Sequence, residues 1–352
     1  MSHYEARLEH DLNDISDSIF RMGEAVESNL RNSLSALFSK DRTLAFNTML
    51  CDHPVNREAE ALNLKCHRFI AKHLPSAGHL RFISSSLRII ILLERIGDYA
   101  VTISKEAAHV EKGVRGQFKE DAVEFANDAS NMLTSALKAY SDQDTELARK
   151  TIKKARKVGR EYFLAYSNLV DPENVGLTTS DLFARLVVIR QIERVNDQAK
   201  NLCEEVIFAE TGQTKNRRRF RLLFLDKKDD SATQIAVALC RKFHGDRIKA
   251  FSAGSHPENN LDDKTLTFCD SRGLDMSGLD PSLADGASND WKKADVFICI
   301  NCDIDDFQLT LPYEASAIRW GFAEGTDLTT LFRDLSDHVD DLVHLVRGPA
   351  TA

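Results

Sequence analysis

The chain has 352 residues, 43% hydrophobic and 28% charged, which is enough for about two globular domains and excludes wholesale disorder. Its net charge of −8 argues against nucleic acid as a partner. No apolar run approaches the ~18 residues of a membrane span, and the charged start MSHYEARLEHDL lacks a signal-peptide core, so the expectation is a cytoplasmic protein.

Seven cysteines (51, 66, 203, 240, 269, 299 and 302) suit reduced thiols better than a disulfide framework. The charge divides unevenly. Residues 1–217 hold 30 Lys+Arg against 31 Asp+Glu, whereas residues 218–352 hold 16 against 23. The acidity belongs to the C-terminal part.

From Met1 to about Gly212 the chain holds only Pro54, Pro75 and Pro172, and no strand-like alternation of any length. Apolar residues recur every three or four positions in stretches such as RMGEAVESNLRNSLSALF (21–38). Pro75, Gly78, Gly113, Gly116, Pro172 and Gly176 punctuate this pattern into about six long helices.

A repeat is present within the helical part. LLERIGDYAVTI (92–103) and QIERVNDQAKNL (191–202) share the frame Glu-Arg-hydrophobic-x-Asp-x-Ala. Each closes an apolar helix preceded by two helical segments, which predicts two tandem three-helix bundles, about 5–112 and 113–212. At about 100° per residue, Leu87, Ile91, Glu94, Asp98 and Val101 fall near one line, as do Leu182, Leu186, Ile189, Glu193 and Asp197. Both carboxylate pairs are therefore expected on the core-facing stripe. There they need either a metal ion or an internal ion-pair network with Arg81, Arg95, Arg190 or Arg194.

The duplicated motif, together with the upstream Pro75, Leu80 and Arg81, resembles the PhoU family over about residues 5–212. The resemblance implies two three-helix bundles that carry metal through Glu/Asp-x-x-x-Asp motifs, with iron, zinc or magnesium as the candidate ion. It also implies a homodimer that acts on the phosphate transporter or the phosphate-sensing histidine kinase, and meets the membrane only through them. Mapped onto this chain, the metal ligands are Glu94 and Asp98 faced by Asp52 and Asn56, and Glu193 and Asp197 faced by Ala155 and Gly159. Asn56 replaces an acid. Pro54 is expected to kink or restart its helix. The second half-site lacks ligands on its facing helix, where Lys153, Lys154 and Arg156 offer salt bridges instead.

The basic run Lys215–Arg221 reads as a solvated linker, set at 213–218, with a nucleic-acid or membrane patch as the other reading. Beyond it the pattern changes. RLLFLD (221–226), RIKAFSAG (247–254) and ADVFICIN (294–301) read as strands, ATQIAVALCRKF (232–243) as an amphipathic helix, and about Asp327–Val346 as the last helix. Strands alternating with helices predict an α/β domain with a parallel sheet over 219–352. Trp320, Ile318 and Phe322 are expected to pack the sheet edge. The expected fold class is thus two domains, all-α and then α/β.

The frame RLLFLDKKDDSATQIAVAL, with FSAGS (251–255) and RGLDMSG (272–278), resembles low-molecular-weight tyrosine phosphatases and the arsenate reductases on the same fold. Those enzymes place Cys-x5-Arg-Ser between strand one and helix one. Here Asp226 stands at the nucleophile, Ala232 at the arginine and Thr233 at the serine, while Glu324 matches the general acid. Without nucleophile and anion clamp, no catalysis is expected. Cys299-x-x-Cys302 reads either as a redox dithiol or half a zinc site, or as two unlinked thiols. Cys51, Cys66 and Cys203 read as helix core.

Three functions compete: a phosphate-homeostasis adaptor with a non-catalytic sensing or docking domain, a divergent phosphatase or arsenate reductase with a helical targeting domain, and a metal-storage or metal-sensing bundle. Asp226 and Ala232 favour the first over the second. Ala155 and Gly159 weaken the third.

Overall fold

The computed structural model describes residues 3–110, 117–168, 178–213, 219–258, 260–312, 315–323 and 325–348. The chain divides into two compact units, Met1–Asn216 and Arg217–Ala352.

In the first unit every described element is a helix: α1 (His3–Ser39), α2 (Arg42–Leu50), α3 (Asp52–His73), α4 (Ala77–His109), α5 (Gln117–Ser141), α6 (Thr145–Asn168) and α7 (Thr179–Thr211). The expected second helix is broken into α2 and α3. Asp41 caps α2 by accepting from Leu44 N, and Pro54 sits in the first turn of α3, where a missing N–H costs no helix bond. At the other end of the unit Thr178 caps α7 through Asp181 N, and Gly212, at φ +71°, closes it.

Helices α1, α3 and α4 pack as one bundle and α5, α6 and α7 as its repeat, with the two long helices α4 and α7 packed on each other. One hydrophobic core runs through both bundles, from Ile15, Ile19 and Val26 to Val195, Leu202 and Val206. Burying a Leu or Ile side chain of this kind contributes about 1.5–3 kcal/mol. Ser85 Oγ donates to Glu205 Oε2 (3.1 Å) and Arg88 pairs with the same carboxylate (3.0 Å), so polar bonds also cross the α4–α7 seam.

The carboxylate stripe does not face this core. On α4 the buried residues include Ile89, Ile90, Leu93, Ile96, Gly97, Ala100 and Ile103, whereas Ile91 is 43% exposed, Asp98 is exposed and Glu94 is half-buried. On α7, Leu186 and Asp197 are exposed and Glu193 half-buried, although Ile189 is buried. Apolar residues occur nearly all round α4, so angular spacing alone did not single out the inner face. Cys66 and Cys203 are buried as expected. Cys51 is exposed, because it falls at the break between α2 and α3.

The second unit is a four-stranded parallel sheet of order β2-β1-β3-β4, built from β1 (Phe220–Asp226), β2 (Ile248–Gly254), β3 (Val296–Ile300) and β4 (Ser316–Trp320). Its helices are α8 (Ser231–His244), α9 (Asp263–Ser271), α10 (Asn289–Lys293) and α11 (Leu328–Arg347), with a 3-10 turn at Ile304–Phe307. Alternation along β1 divides the interior. Leu222 and Phe224 join the core formed with α8 and α11, while Leu223 and Leu225 join a smaller core with Trp291, Phe297 and Phe307. Ile318 and Trp320 lie on β4, a strand too short and too exposed to register as one in the sequence. No described helix is long and apolar enough to cross a membrane.

Candidate functional site

In the first repeat, α3 opens on Asp52, which is only 7% exposed. Its Oδ2 accepts from Asn56 Nδ2 (2.8 Å), but Asp52 Oδ1 and Asn56 Oδ1 are buried with no hydrogen-bond partner. Asp52 Oδ1 lies against Gly97 of α4, where a Cβ would stand 2.7 Å away. The glycine in Glu-Arg-Ile-Gly-Asp therefore makes room for a carboxylate. Burial pushes the Asp52 carboxyl up, and the charge of Asp98 pushes it in the same direction. The structure thus brings Asp52 and Asp98 together, with Glu94 one turn earlier on α4.

The second repeat is built differently. Glu193 accepts from Arg190 at 2.6 Å, and Asp197 is exposed, with Lys200 at 3.9 Å. Asn196 occupies the Gly97 position; it is buried and its amide donates to the Tyr162 hydroxyl of α6. Ala155 is buried on the same helix, and Lys154 reaches Asp128 (2.6 Å) rather than either acid of the motif. Of the arginines expected to pair with the motif acids, Arg81 donates to Ala209 O (3.4 Å) and Arg194 lies over the Tyr99 ring. Among the described residues no three His, Cys, Asp or Glu side chains form a group that could hold a metal ion. The Gly-to-Asn change was visible in the sequence; Tyr162 as its partner was not, since it comes from a different helix.

In the second unit the loop between β1 and α8 carries Asp226, Lys228, Asp229 and Asp230. Asp226 is 8% exposed. Its Oδ1 accepts the backbone N–H of Lys228 (2.9 Å) and of Asp229. The carboxylate thereby occupies N–H groups of the kind that, in an anion-binding loop, would face a ligand. Burial, and then the charge of Asp230, push its pKa up to about 7. Asp229 is buried at φ +51°, a conformation that Asp tolerates, and bonds Thr233 Oγ1 (2.9 Å) and Ser282 N (2.7 Å). Lys228 pairs with Glu258 (2.7 Å).

The end of β2 braces this loop. Ser255, His256 and Glu258 donate backbone N–H groups to the carbonyls of Asp226, Lys227 and Lys228. At Gly254 a Cβ would meet Asp229 N at 2.7 Å, which is the physical reason for glycine within Ser-Ala-Gly-Ser. Ala232 is half-buried in the first turn of α8 and offers no cation. Glu324 lies outside the described residues. Cys299 and Cys302 are both buried, with Cys302 Sγ 3.5 Å from Leu225 O.

The helical unit is therefore a duplicated three-helix bundle with one carboxylate-bearing junction and one filled by Asn196 and Tyr162. The PhoU domain family matches residues 19–107 and 122–206. The match runs through both three-helix bundles of the helical part. A phosphate-specific transport system accessory protein PhoU homolog of Pseudomonas putida is 29% identical over 216 residues, covering 60% of this chain and 83% of that protein. The corresponding PhoU of Escherichia coli is 27% identical over 212 residues, covering 60% and 88%. The crystal structure of PhoU from Pseudomonas aeruginosa superimposes with a TM-score of 0.55 at 28% identity, covering 58% of this chain and 99% of that one. A thioredoxin-dependent arsenate reductase of Corynebacterium glutamicum reaches a TM-score of only 0.34 at 15% identity, covering 55% and 96%, too low to relate the second unit to it.

Proposed function

We propose that this protein is an accessory regulator of phosphate uptake that restrains the transporter and the phosphate-starvation response when phosphate is plentiful. The match of the helical part to the PhoU domain family carries this reading, because the matched relatives are phosphate-specific transport system accessory proteins. The adaptor reading needs a helical face that docks a partner, the transporter or the sensor kinase, and needs no catalytic pocket. Deleting the gene in its host should raise starvation-response output in phosphate-rich medium, and residues 1–212 alone should restore part of the repression. Unchanged phosphate-regulated expression would end the proposal. A homodimer is expected, to be read from the mass in solution.

The second unit, 219–352 by our reading, is proposed to bind or dock without phosphoryl chemistry. Asp226 at the nucleophile position is itself hydrogen-bonded into the loop, and Ala232 offers no guanidinium to hold an oxyanion. Aryl-phosphate hydrolysis or arsenate reduction that disappears in Asp226→Asn would establish the competing enzyme reading.

In the first repeat, Asp52 and Asp98, with Glu94 one turn away, are proposed to hold a hard or borderline cation such as iron, zinc or magnesium, although the three carboxylates do not by themselves gather into a ligand group. The two buried oxygens without partners, on Asp52 and Asn56, suit such an ion. A bound cation would offset the repulsion between Asp52 and Asp98. Glu193 and Asp197 do not fit one, given their lysine and arginine neighbours and the Asn196–Tyr162 bond. Metal content should fall in Glu94→Gln/Asp98→Asn and be unchanged in Glu193→Gln/Asp197→Asn; the reverse order would sink the assignment.

A further inference from the structure

Cys299 and Cys302 meet at one residue of β1: Cys299 is the β3 register partner of Leu225, and Cys302 Sγ lies 3.5 Å from Leu225 O. Strand β3 ends at Ile300, and Asn301 then adopts a left-handed φ of +53°. Two bonds hold it there: its N–H donates to Trp320 O (3.0 Å) and its Oδ1 accepts from Phe322 N (2.7 Å). The chain reverses at this residue, so Cys302 returns to the small core that already holds Cys299.

Their surroundings make the thiols unequal. The Cys302 thiol holds Cys299 below the ordinary thiol range, against burial and the charges of Asp303 and Asp306, and Arg319, its register partner on β4, acts in the same direction. The Cys299 thiol, and then burial, push Cys302 up. The pair is thus asymmetric in the sense that an attacking and a resolving thiol are. Cys66, Cys203, Cys240 and Cys269 differ: burial is the first cause in each and pushes them up.

We propose that Cys299 and Cys302 form a reversible intrachain disulfide, with hydrogen peroxide as the oxidant, and that the second unit is a redox-responsive module. The Cys299 thiolate attacks one peroxide oxygen; an S–O bond forms, the O–O bond breaks, and hydroxide leaves to become water. The Cys302 sulfur then attacks the sulfenic sulfur of Cys299. The S–S bond forms, the S–O bond breaks, and the departing hydroxide takes the Cys302 proton as a second water. Two thiols and one peroxide become one disulfide and two waters.

The consequence reaches the carboxylate-filled loop. In the reduced state the Cys302 thiol lies within bonding distance of Leu225 O, immediately before Asp226. Oxidation removes that donor, so the state of the dithiol is felt at the root of the 226–231 loop. This inference is independent of the phosphate-regulator reading, since it concerns only the chemistry of the second unit.

The test uses the full chain, reduced, titrated with hydrogen peroxide, quenched, unfolded, alkylated with iodoacetamide and mapped by mass spectrometry. The peptide holding Cys299 and Cys302 should lose both alkylation sites and weigh two hydrogens less. Dithiothreitol should restore it. Cys66, Cys203, Cys240 and Cys269 should remain alkylatable at the same dose. In Cys302→Ser, Cys299 should be trapped by dimedone as the sulfenic acid. Full alkylation of both cysteines at doses that oxidise the exposed Cys51 would overturn the proposal. So would a first disulfide formed between chains, or passage of Cys299 to sulfinic acid in the wild type.

Discussion

Asp52 Oδ1 and Gly97 are in such close contact that a methyl group on α4 would sit 2.7 Å from the carboxylate oxygen. Alanine in a helix gains about 1 kcal/mol over glycine in propensity, whereas overpacking a buried contact costs about 1–3 kcal/mol. Asp52 is also tied to Asn56, so it cannot swing away without breaking that bond. Gly97→Ala should therefore lower stability by about 1 kcal/mol net, read from the urea midpoint of residues 1–213. A midpoint at or above wild type would mean the carboxylate is not held there.

The second repeat answers the same position with Asn196 and Tyr162. Removing the hydroxyl in Tyr162→Phe leaves a buried amide with no acceptor at that site, which costs about 1–3 kcal/mol. The change should appear as an earlier thermal transition of the helical unit with helical content unchanged. An unaltered transition would show that the Asn196 amide has another partner.

A third expectation follows from the charge state of Asp226. Its carboxyl moves from 3.8 to about 7 on folding. The folded state therefore holds the proton more tightly than the unfolded chain. Stability of the second unit must then fall as pH rises from about 4 to about 7 and level off above, by a few kcal/mol at most. Asp226→Asn keeps an oxygen for both loop N–H groups but has nothing to ionise. The variant should be more stable than wild type above pH 7, match it near pH 4, and show a flatter profile between. Some slope should remain, because burial also pushes Asp229 up.

The division into Met1–Asn216 and Arg217–Ala352 sets a fourth expectation. Residues 1–213 and 219–352, made separately, should each unfold cooperatively, and limited proteolysis of the whole chain should cut between them. Cleavage scattered through the first 200 residues, or a shorter piece that does not fold, would count against two independent units.

Much of this architecture was legible because it rests on local signals. Pro54 marked the restart at α3, and the repeat of Glu94/Asp98 by Glu193/Asp197 marked the duplication. The inner face of α4 was not legible. Its isoleucines and leucines circle the helix, and only packing against α1, α3 and α7 selects Ile89, Leu93 and Ile96 over Ile91. Strand β4 escaped notice because Ser316, Ala317 and Arg319 are exposed and only Trp320 is buried. An acid at the end of the first strand, Asp226, could be read directly, but its bonding to Lys228 N and Asp229 N depends on how the loop folds back.

A carboxylate that is part of the chain cannot dissociate. A loop that awaits an anion exists in two shapes, empty and filled, and concentration decides between them. With Asp226 seated on the N–H groups of Lys228 and Asp229, and β2 bracing the turn through Ser255, His256 and Glu258, the filled shape is present from the moment of folding. Added phosphate should leave the melting temperature of the second unit where it was. The contour is constant rather than gated by a ligand, and any partner that reads this loop meets the same surface in starvation and in plenty.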